Sequence, residues 1–217
     1  MRLIFATYSP GKLSEIKRLG QVSSIDVVGL SDVGVDVKFQ ETGDTYEANA
    51  RQKFDQAAAA LAHNQIDWLA ADDSGFEIDA LGGQPGVNSQ RWVGQEMTDQ
   101  EITDYTLKQL ASVPPPQRTA RLRTVVALGK TGQQPLIFEG SLDGSILNVP
   151  DKDSPLVEGF PLGQLFFISG AMLTYSQYLQ KAQVNGPEFL SQRALAFKKV
   201  FNYINDLQSL SGDFLEK

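Results

Sequence analysis

Short apolar runs and stretches of apolar–polar alternation recur along the chain, and both patterns are typical of β-strands. The clearest alternation covers residues 76–80, directly after the apolar run 68–71 and the pair Asp72-Asp73. This pattern predicts a strand that ends at the two carboxylates and a further strand-like stretch behind them. The predicted strands lie within residues 2–7, 21–39, 68–71, 76–80, 119–128 and 136–146 (a hairpin around Gly132), and 165–168.

Apolar residues also recur at spacings of three and four, which predicts amphipathic helices. Ser9 is followed by a proline and is suited to cap the first helix, and Gly20 is predicted to stop it. Asp44 and Glu47 have the spacing of a capping box, so the second helix is predicted to start near Thr45. The predicted helices cover residues 10–19, 45–63, 98–111 and about 190–207. Strands and helices together indicate a mixed α/β fold.

Composition and charge narrow the classes of function. The chain of 217 residues can form one domain with a sizeable core, and its net charge of −7 argues against a nucleic acid as the main partner. The absence of cysteine excludes disulfides and thiolate catalysis, and it fits a cytoplasmic protein. No apolar stretch reaches the roughly 18 residues that span a membrane, and the first residues are interrupted too soon for a signal peptide. The single histidine, His63, disfavours a Ser-His-Asp triad.

Candidate chemistry concentrates at Asp72 and Asp73. Two adjacent carboxylates repel each other, so a cation normally keeps both ionised, and Mg²⁺ is the usual one beside a phosphorylated substrate. A solvated Asp-Asp turn is the alternative, since aspartate favours turns. The apolar run before the pair and the Gly- and Pro-rich loop 82–86 after it favour a site.

Charged residues elsewhere suit a phosphate-binding site. Lys12 stands at the predicted N-terminus of the first helix, where backbone N–H groups attract anions, although an ordinary strand-to-helix turn has the same pattern. Lys53 shares a predicted helix face with Asn49, one turn away. Glu41 is either a metal ligand or a solvated turn carboxylate. Arg193 either binds a phosphate or is an exposed helix arginine.

Four of these segments match, in order, the motifs of one family. They are residues 6–15 (ATYSPGKLSE), 41–53 (ETGDTYEANARQK), 71–87 (ADDSGFEIDALGGQPGV) and 191–194 (SQRA). The sequence resembles the inosine triphosphate pyrophosphatase family, enzymes that hydrolyse non-standard purine nucleoside triphosphates to a monophosphate and pyrophosphate. The resemblance runs from residue 2 to about residue 200, and the segment 71–87 is its most specific part.

The resemblance implies a mixed, elongated central sheet flanked by helices, in two lobes of a single domain over residues 1–217 with a substrate cleft between them. It also implies a homodimer that depends on Mg²⁺. The charge and the short apolar stretches described above add the expectation of no nucleic-acid or membrane partner. Asp73 would be the general base and a metal ligand, with Glu41 and Asp72 completing the metal site. The implied substrate-binding residues are Thr7, Ser9, Lys12, Lys53, Ser74, Phe160, Gln192 and Arg193.

The departures from the family pattern concentrate on the base pocket, whereas the matches concentrate on phosphates and metal. The residues that differ are Ser9, Ala48, Leu162, Gly163 and Gln192, and Lys181 is the nearest candidate for a late lysine. Losing polar contacts to a base relaxes or changes specificity. We therefore expect pyrophosphatase chemistry on ITP, dITP or XTP with altered base selection. The alternative is a nucleotide-binding homologue without turnover, against which the retained carboxylates argue.

Overall fold

The computed structural model of the chain describes residues 1–61, 67–89, 92, 97–157, 160–185 and 190–212. The strands are β1 (Arg2–Phe5), β2 (Asp26–Gly29), β3 (Trp68–Ile78), β4 (Gln84–Gly86), β5 (Thr119–Gly129), β6 (Leu136–Ile146), β7 (Phe166–Ile168) and β8 (Leu173–Thr174). The helices are α1 (Pro10–Val22), α2 (Tyr46–Ala60), α3 (Asp99–Gln109), α4 (Tyr175–Asn185) and α5 (Gln192–Gly212). Within these described residues, no helix is both long and apolar enough to cross a membrane.

The strands form one eight-stranded sheet in the order β2-β1-β3-β5-β6-β7-β8, with β4 paired to β3. Strand β1 runs parallel to β2 and to β3, whereas β4 is antiparallel to β3, and β7 is antiparallel to β6 and to β8. Helices flank this mixed sheet, so the predicted mixed α/β class is confirmed. Strand β1 runs parallel to β3 and ends at Phe5, which pairs with Ala70. The loop that follows β1 therefore lies next to the middle of β3.

The chain divides into two compact units. The first comprises Met1–Asp73, Thr124–Gly140 and Arg193–Lys217. Its core is built on Phe5 of β1, whose ring meets that of Phe197 of α5 edge to face at 4.8 Å. The sequence pattern predicts an apolar stripe on the second helix, and all of its members are buried: Tyr46, Ala50, Phe54, Ala57 and Leu61. The stripe predicted for the C-terminal helix is confirmed in its middle part, at Ala194, Phe197, Phe201 and Ile204. At its ends Leu207 is 37% exposed, and Leu190 precedes α5 and is half-buried.

The second unit comprises Ser74–Arg123 and Ser141–Gln192. Its core centres on Phe76 and Phe166, whose rings meet edge to face at 4.9 Å. The buried guanidinium of Arg118 donates to the carbonyl oxygens of Leu110 and Val113, both at 2.8 Å. These carbonyls lie just beyond the C-terminus of α3, where a positive charge is favourable.

Two helix boundaries differ from the prediction. Helix α1 continues past Gly20 to Val22, because Gly20 is needed for close packing rather than for termination. A Cβ atom at this position would lie 2.6 Å from the carbonyl oxygen of Ile25. Helix α2 is capped by Thr45, not Asp44, and it ends at Ala60. The predicted extension to His63 lies outside the described residues.

The strand prediction was wrong at the double aspartate. Strand β3 runs without a break from Trp68 to Ile78, so Asp72 and Asp73 lie in its interior and not at its end. The prediction also placed Ala80 in a strand, whereas residues Asp79–Leu81 form a 3-10 turn that leaves Ala80 exposed. No helix was predicted from the sequence where α4 lies. Its apolar residues are mixed with glutamines and tyrosines, which hides the helical period.

Candidate active site

Asp72 lies at the centre of an ion-pair network in the first unit. Its side chain is 1% exposed, and its carboxylate accepts bonds from Lys12 Nζ at 3.1 and 3.2 Å and from Arg193 Nε at 2.9 Å. Arg193 also contacts Glu15 Oε2 through Nη1 at 3.0 Å. Three elements distant in sequence, α1, β3 and α5, therefore meet at one buried carboxylate.

Local helix geometry brings the two cations to Asp72. The hydroxyl of Ser9 caps α1 by accepting a bond from the backbone N–H of Lys12 at 3.4 Å, which places Lys12 in the first turn. Thr7 stabilises the preceding loop, because its Oγ1 accepts a bond from the N–H of Ser9 at 3.2 Å. Arg193 is the second residue of α5. The predicted N-cap at Ser9 is thus confirmed.

Lys53 connects a second carboxylate to the same strand. Its Nζ lies 2.8 Å from Glu41 Oε2 and donates to the backbone oxygen of Asp72 at 3.0 Å. The lysine is buried, whereas the Glu41 side chain is 34% exposed. The helical position of Lys53, one turn after Asn49, brings both side chains toward β3, as their shared face predicted.

Asp73 is held by an amide. Its Oδ2 accepts a bond from Asn49 Nδ2 at 2.9 Å, and Asn49 Oδ1 accepts the backbone N–H of Gly43 at 2.8 Å. Gly43 permits this contact because a Cβ there would lie 2.6 Å from the Cβ of Ala48 and 2.8 Å from Asn49 Oδ1. Both Asp73 and Asn49 are buried.

The pKa shifts of the groups around Asp72 show which of them stay ionised. Burial alone would raise the pKa of Asp72, but the positive charges of Lys12, Arg193 and Lys53 outweigh it and hold that pKa well below its usual range. Burial lowers the pKa of Lys12, and the charge of Asp72 opposes this effect. Burial disfavours charged Arg193, yet Asp72 and Glu15 raise its pKa above the ordinary arginine value. Asp72 is therefore an anion throughout the physiological range.

The first unit thus brings together six predicted site residues, Lys12, Glu41, Lys53, Asp72, Asp73 and Arg193. It does not gather the predicted metal ligands in one cluster, since no group of three His, Cys, Asp or Glu side chains suited to a metal occurs among the described residues. Sequence reasoning left Glu15 and Asn49 without a role. The sequence pattern could have identified both residues, because both stand in the matching motifs and Asn49 shares a helix face with Lys53.

Of the other predicted residues, Thr7 and Ser9 belong to the first unit, whereas Ser74, Phe160, Lys181 and Gln192 belong to the second. Phe160 packs against Tyr175 with ring centroids 4.4 Å apart, and the Tyr175 hydroxyl donates to Gln192 Oε1 at 3.4 Å. Gln192 is 4% exposed. Ser74 is half-buried in β3, and Lys181 is exposed on α4. Tyr175 was not predicted as a site residue.

Three departures from the family pattern have structural explanations. Ala48 is the third residue of α2, where a glutamate would complete a capping box with Thr45. Leu162 is buried in the core of the second unit. The carbonyl of Gly163 accepts the N–H of Ser176 at 3.1 Å, and a Cβ at Gly163 would overlap Ser176 Oγ.

Gly163→Ala is expected to destabilise the protein by about 1–3 kcal/mol, because the added methyl group must displace the first turn of α4. Urea denaturation measures the change. Gly170→Ala is the matched control, since a Cβ there meets nothing within 4 Å. Equal stability of the two variants would show that α4 accommodates the methyl group freely.

The fold and the site define an α/β protein with buried cations and carboxylates gathered at a strand, an arrangement suited to phosphate chemistry. The chain belongs to the Ham1 family, whose sequence profile matches residues 3–203. It is 34% identical over 197 residues to the dITP/XTP pyrophosphatase of Bacillus subtilis (strain 168), and the matched region covers 91% of this chain and 93% of that protein. It is 36% identical over 202 residues to the dITP/XTP pyrophosphatase of Leuconostoc mesenteroides, covering 92% and 94%.

Solved structures agree with this assignment. The Staphylococcus aureus Ham1 protein superposes with a TM-score of 0.76 at 26% identity, covering 95% of this chain and 99% of that chain. A Mycobacterium abscessus structure described as a nucleoside-triphosphatase and dITP/XTP pyrophosphatase gives a TM-score of 0.67 at 29% identity, covering 95% and 98%. The family resemblance stated from the sequence is therefore confirmed.

Proposed function

We propose that this chain hydrolyses nucleoside triphosphates with non-standard purine bases, such as ITP, dITP and XTP, to the monophosphate and pyrophosphate. One observation carries the proposal: Lys12, Lys53 and Arg193 converge on Asp72 beside the buried carboxylate of Asp73. This arrangement offers cations for phosphates and a base for water. The names of the relatives, dITP/XTP pyrophosphatase, support the same substrates.

The two lysines are suited to bind the triphosphate. In the free protein, Lys12 is paired with Asp72 and Lys53 with Glu41. A triphosphate competes with these carboxylates for the lysines, because its oxygens carry more charge. Arg193 contacts Asp72 and Glu15 together, so it keeps Asp72 in place when Lys12 turns to a phosphate.

Asp73 is suited to act as the general base. Its carboxylate takes a proton from the attacking water, whose oxygen forms a bond to the α-phosphorus. The bond between that phosphorus and the oxygen bridging to the β-phosphate breaks, and pyrophosphate leaves with the electron pair. General-base catalysis of this kind contributes about 10²–10⁴-fold to the rate.

The described residues hold no cluster of three acidic ligands, but Mg²⁺ is usually bound by only one or two carboxylates together with the phosphates of a substrate, and the carboxylates here fit that mode. Both carboxylate oxygens of Asp72 contact Lys12, and one of them also contacts Arg193, so Asp72 fits a supporting role. Glu41 and Asp73 are the residues that would hold the ion. When bound, Mg²⁺ would polarise the phosphoryl oxygens and neutralise the pyrophosphate leaving group.

Considered by itself, the second unit contains the side chains that the resemblance implies for the base. The ring of Phe160 is partly exposed, whereas Gln192 is buried beside Tyr175, and its amide can both donate and accept hydrogen bonds. An amide does not distinguish a keto from an amino group as a dedicated donor does. We therefore expect broader base selection than the family pattern implies. The homodimer stays a prediction of the resemblance, and the cytoplasmic location stays a prediction from the absence of cysteine.

The test measures pyrophosphate release with Mg²⁺ from ITP, dITP, XTP, GTP, UTP and CTP. Release from the first three at higher kcat/KM than from GTP supports the proposal, and comparable rates on pyrimidines support broadened selection. EDTA should abolish the activity, and added Mg²⁺ should restore it. No pyrophosphate from any nucleotide would overturn the proposed function.

A further inference from the structure

We infer that Asn49 is a positioning residue that fixes the carboxylate of Asp73 for the reaction. The inference rests on the proposed function, in which Asp73 is the base, and it assigns a role to a side chain outside that mechanism. Asn49 is 4% exposed, so its amide is removed from competition with water.

The orientation of the Asn49 amide follows from its partners. A backbone N–H donates only, so the atom facing Gly43, at 2.8 Å, must be the oxygen Oδ1. The nitrogen Nδ2 therefore faces Asp73 and donates to its Oδ2 at 2.9 Å. A carboxylate accepts such a bond in its ionised form, which is the form that a general base requires. The bond also restricts rotation of the carboxylate about χ2.

Asn49 belongs to a row of amides on α2 that holds residues 40–43. Gln56 accepts the N–H of Gln40 at 2.9 Å and donates to its carbonyl at 2.9 Å, and Gln52 accepts the N–H of Thr42 at 3.0 Å. Asn49 accepts the N–H of Gly43 in the same manner. The row holds the segment that carries Glu41, and Asn49 differs from both glutamines because its second bond reaches Asp73.

Asn49 consequently couples two groups that the reaction needs. The segment with Glu41 and the carboxylate of Asp73 are both attached to α2 through one rigid, buried side chain. Partners of this kind, one bond removed from a reacting or ligating carboxylate, typically change activity by about 10–100-fold when they are removed.

The two bonds of Asn49 can be separated by substitution. Asn49→Asp keeps an acceptor for the N–H of Gly43 and replaces the donor to Asp73 with a second carboxylate. Gln52→Ala is the matched control, because it removes a bond to the same segment and leaves Asp73 untouched. For Asn49→Asp we expect kcat to fall by about 10–100-fold with KM for ITP unchanged within about threefold. For Gln52→Ala we expect a much smaller fall in kcat than for Asn49→Asp, because it weakens only the hold on the segment and leaves the bond to Asp73 in place.

A double variant tests whether the two side chains interact. Asn49→Asp combined with Asp73→Asn restores an amide–carboxylate bond with its partners exchanged. We expect thermal stability to recover relative to Asn49→Asp alone, whereas activity stays lost because the base has moved. A double variant no more stable than the single one would overturn the contact.

The kinetic outcomes separate the two proposals. A wild type without pyrophosphate release overturns the proposed function, and the role of Asn49 falls with it. If the wild type is active and the kcat of Asn49→Asp equals that of the control Gln52→Ala, only the role of Asn49 is overturned. A rise in KM at unchanged kcat does the same, since it would indicate substrate binding rather than positioning of Asp73.

Discussion

Asp73→Asn is expected to lower kcat for pyrophosphate release by on the order of 10³-fold, because the amide cannot accept the proton of the attacking water. The variant keeps the shape of the side chain. Since the phosphate-binding cations Lys12 and Lys53 are unchanged, we expect ITP to bind the variant and the wild type with similar affinity when Mg²⁺ is absent, so that the loss of a metal ligand does not enter the comparison. Single-turnover pyrophosphate release and titration calorimetry measure the two effects separately.

The control for Asp73→Asn is the same substitution at Asp79, which pairs with Arg121 at 2.7 Å in the second unit and is exposed. Its kcat should match the wild type. A wild type that binds ITP tightly without turnover, together with an Asp73→Asn variant that behaves identically, would favour a nucleotide-binding protein over an enzyme. An active wild type with an equally active Asp73→Asn variant would assign the base to another group.

Asp72→Asn is expected to destabilise the protein by about 3–5 kcal/mol, the usual cost of breaking a buried ion pair by removing one partner. Lys12 and Arg193 would lose the carboxylate that both contact. Urea denaturation at neutral pH measures the change. The control is Asp32→Asn, which removes an exposed pair with Lys17 and should change stability little.

The stability conferred by Asp72 depends on pH with a definite sign. Its pKa in the folded protein lies below the ordinary value of 3.8, so its contribution is complete above that value and is lost as the pH falls below it. The difference in unfolding free energy between wild type and Asp72→Asn should therefore be smaller at about pH 3 than at about pH 7. An equal difference at both pH values would indicate that packing, not charge, causes the loss.

Much of the secondary structure was predictable because local rules determine it. The cap at Ser9, the start of a helix at Thr98 and the buried stripe of α2 follow from residues close in sequence. The termination at Gly20 was predicted wrongly because glycine serves two purposes. Its role in close packing against Ile25 depends on a contact that no local pattern encodes.

The site was predictable in its residues but not in its pairing. Lys12, Lys53 and Arg193 are predicted phosphate ligands, and in the structure two of them contact the Asp72 carboxylate and the third its backbone oxygen. That arrangement depends on α1, β3 and α5 meeting in three dimensions, which is tertiary information. The bond from Asn49 to Asp73 depends on the packing of α2 against the same strand, which is also tertiary information.

The balanced charges around Asp72 have a consequence for how the chain is made. Lys12 is matched by Asp72, Lys53 by Glu41 and Arg193 by Glu15, so each buried cation has its own anion in the unliganded chain. Proteins whose sites carry uncompensated charge gain much of their stability from the ligand and remain poorly folded until it is supplied. We therefore expect the chain to fold without nucleotide or metal, so that its maturation should not depend on the supply of either.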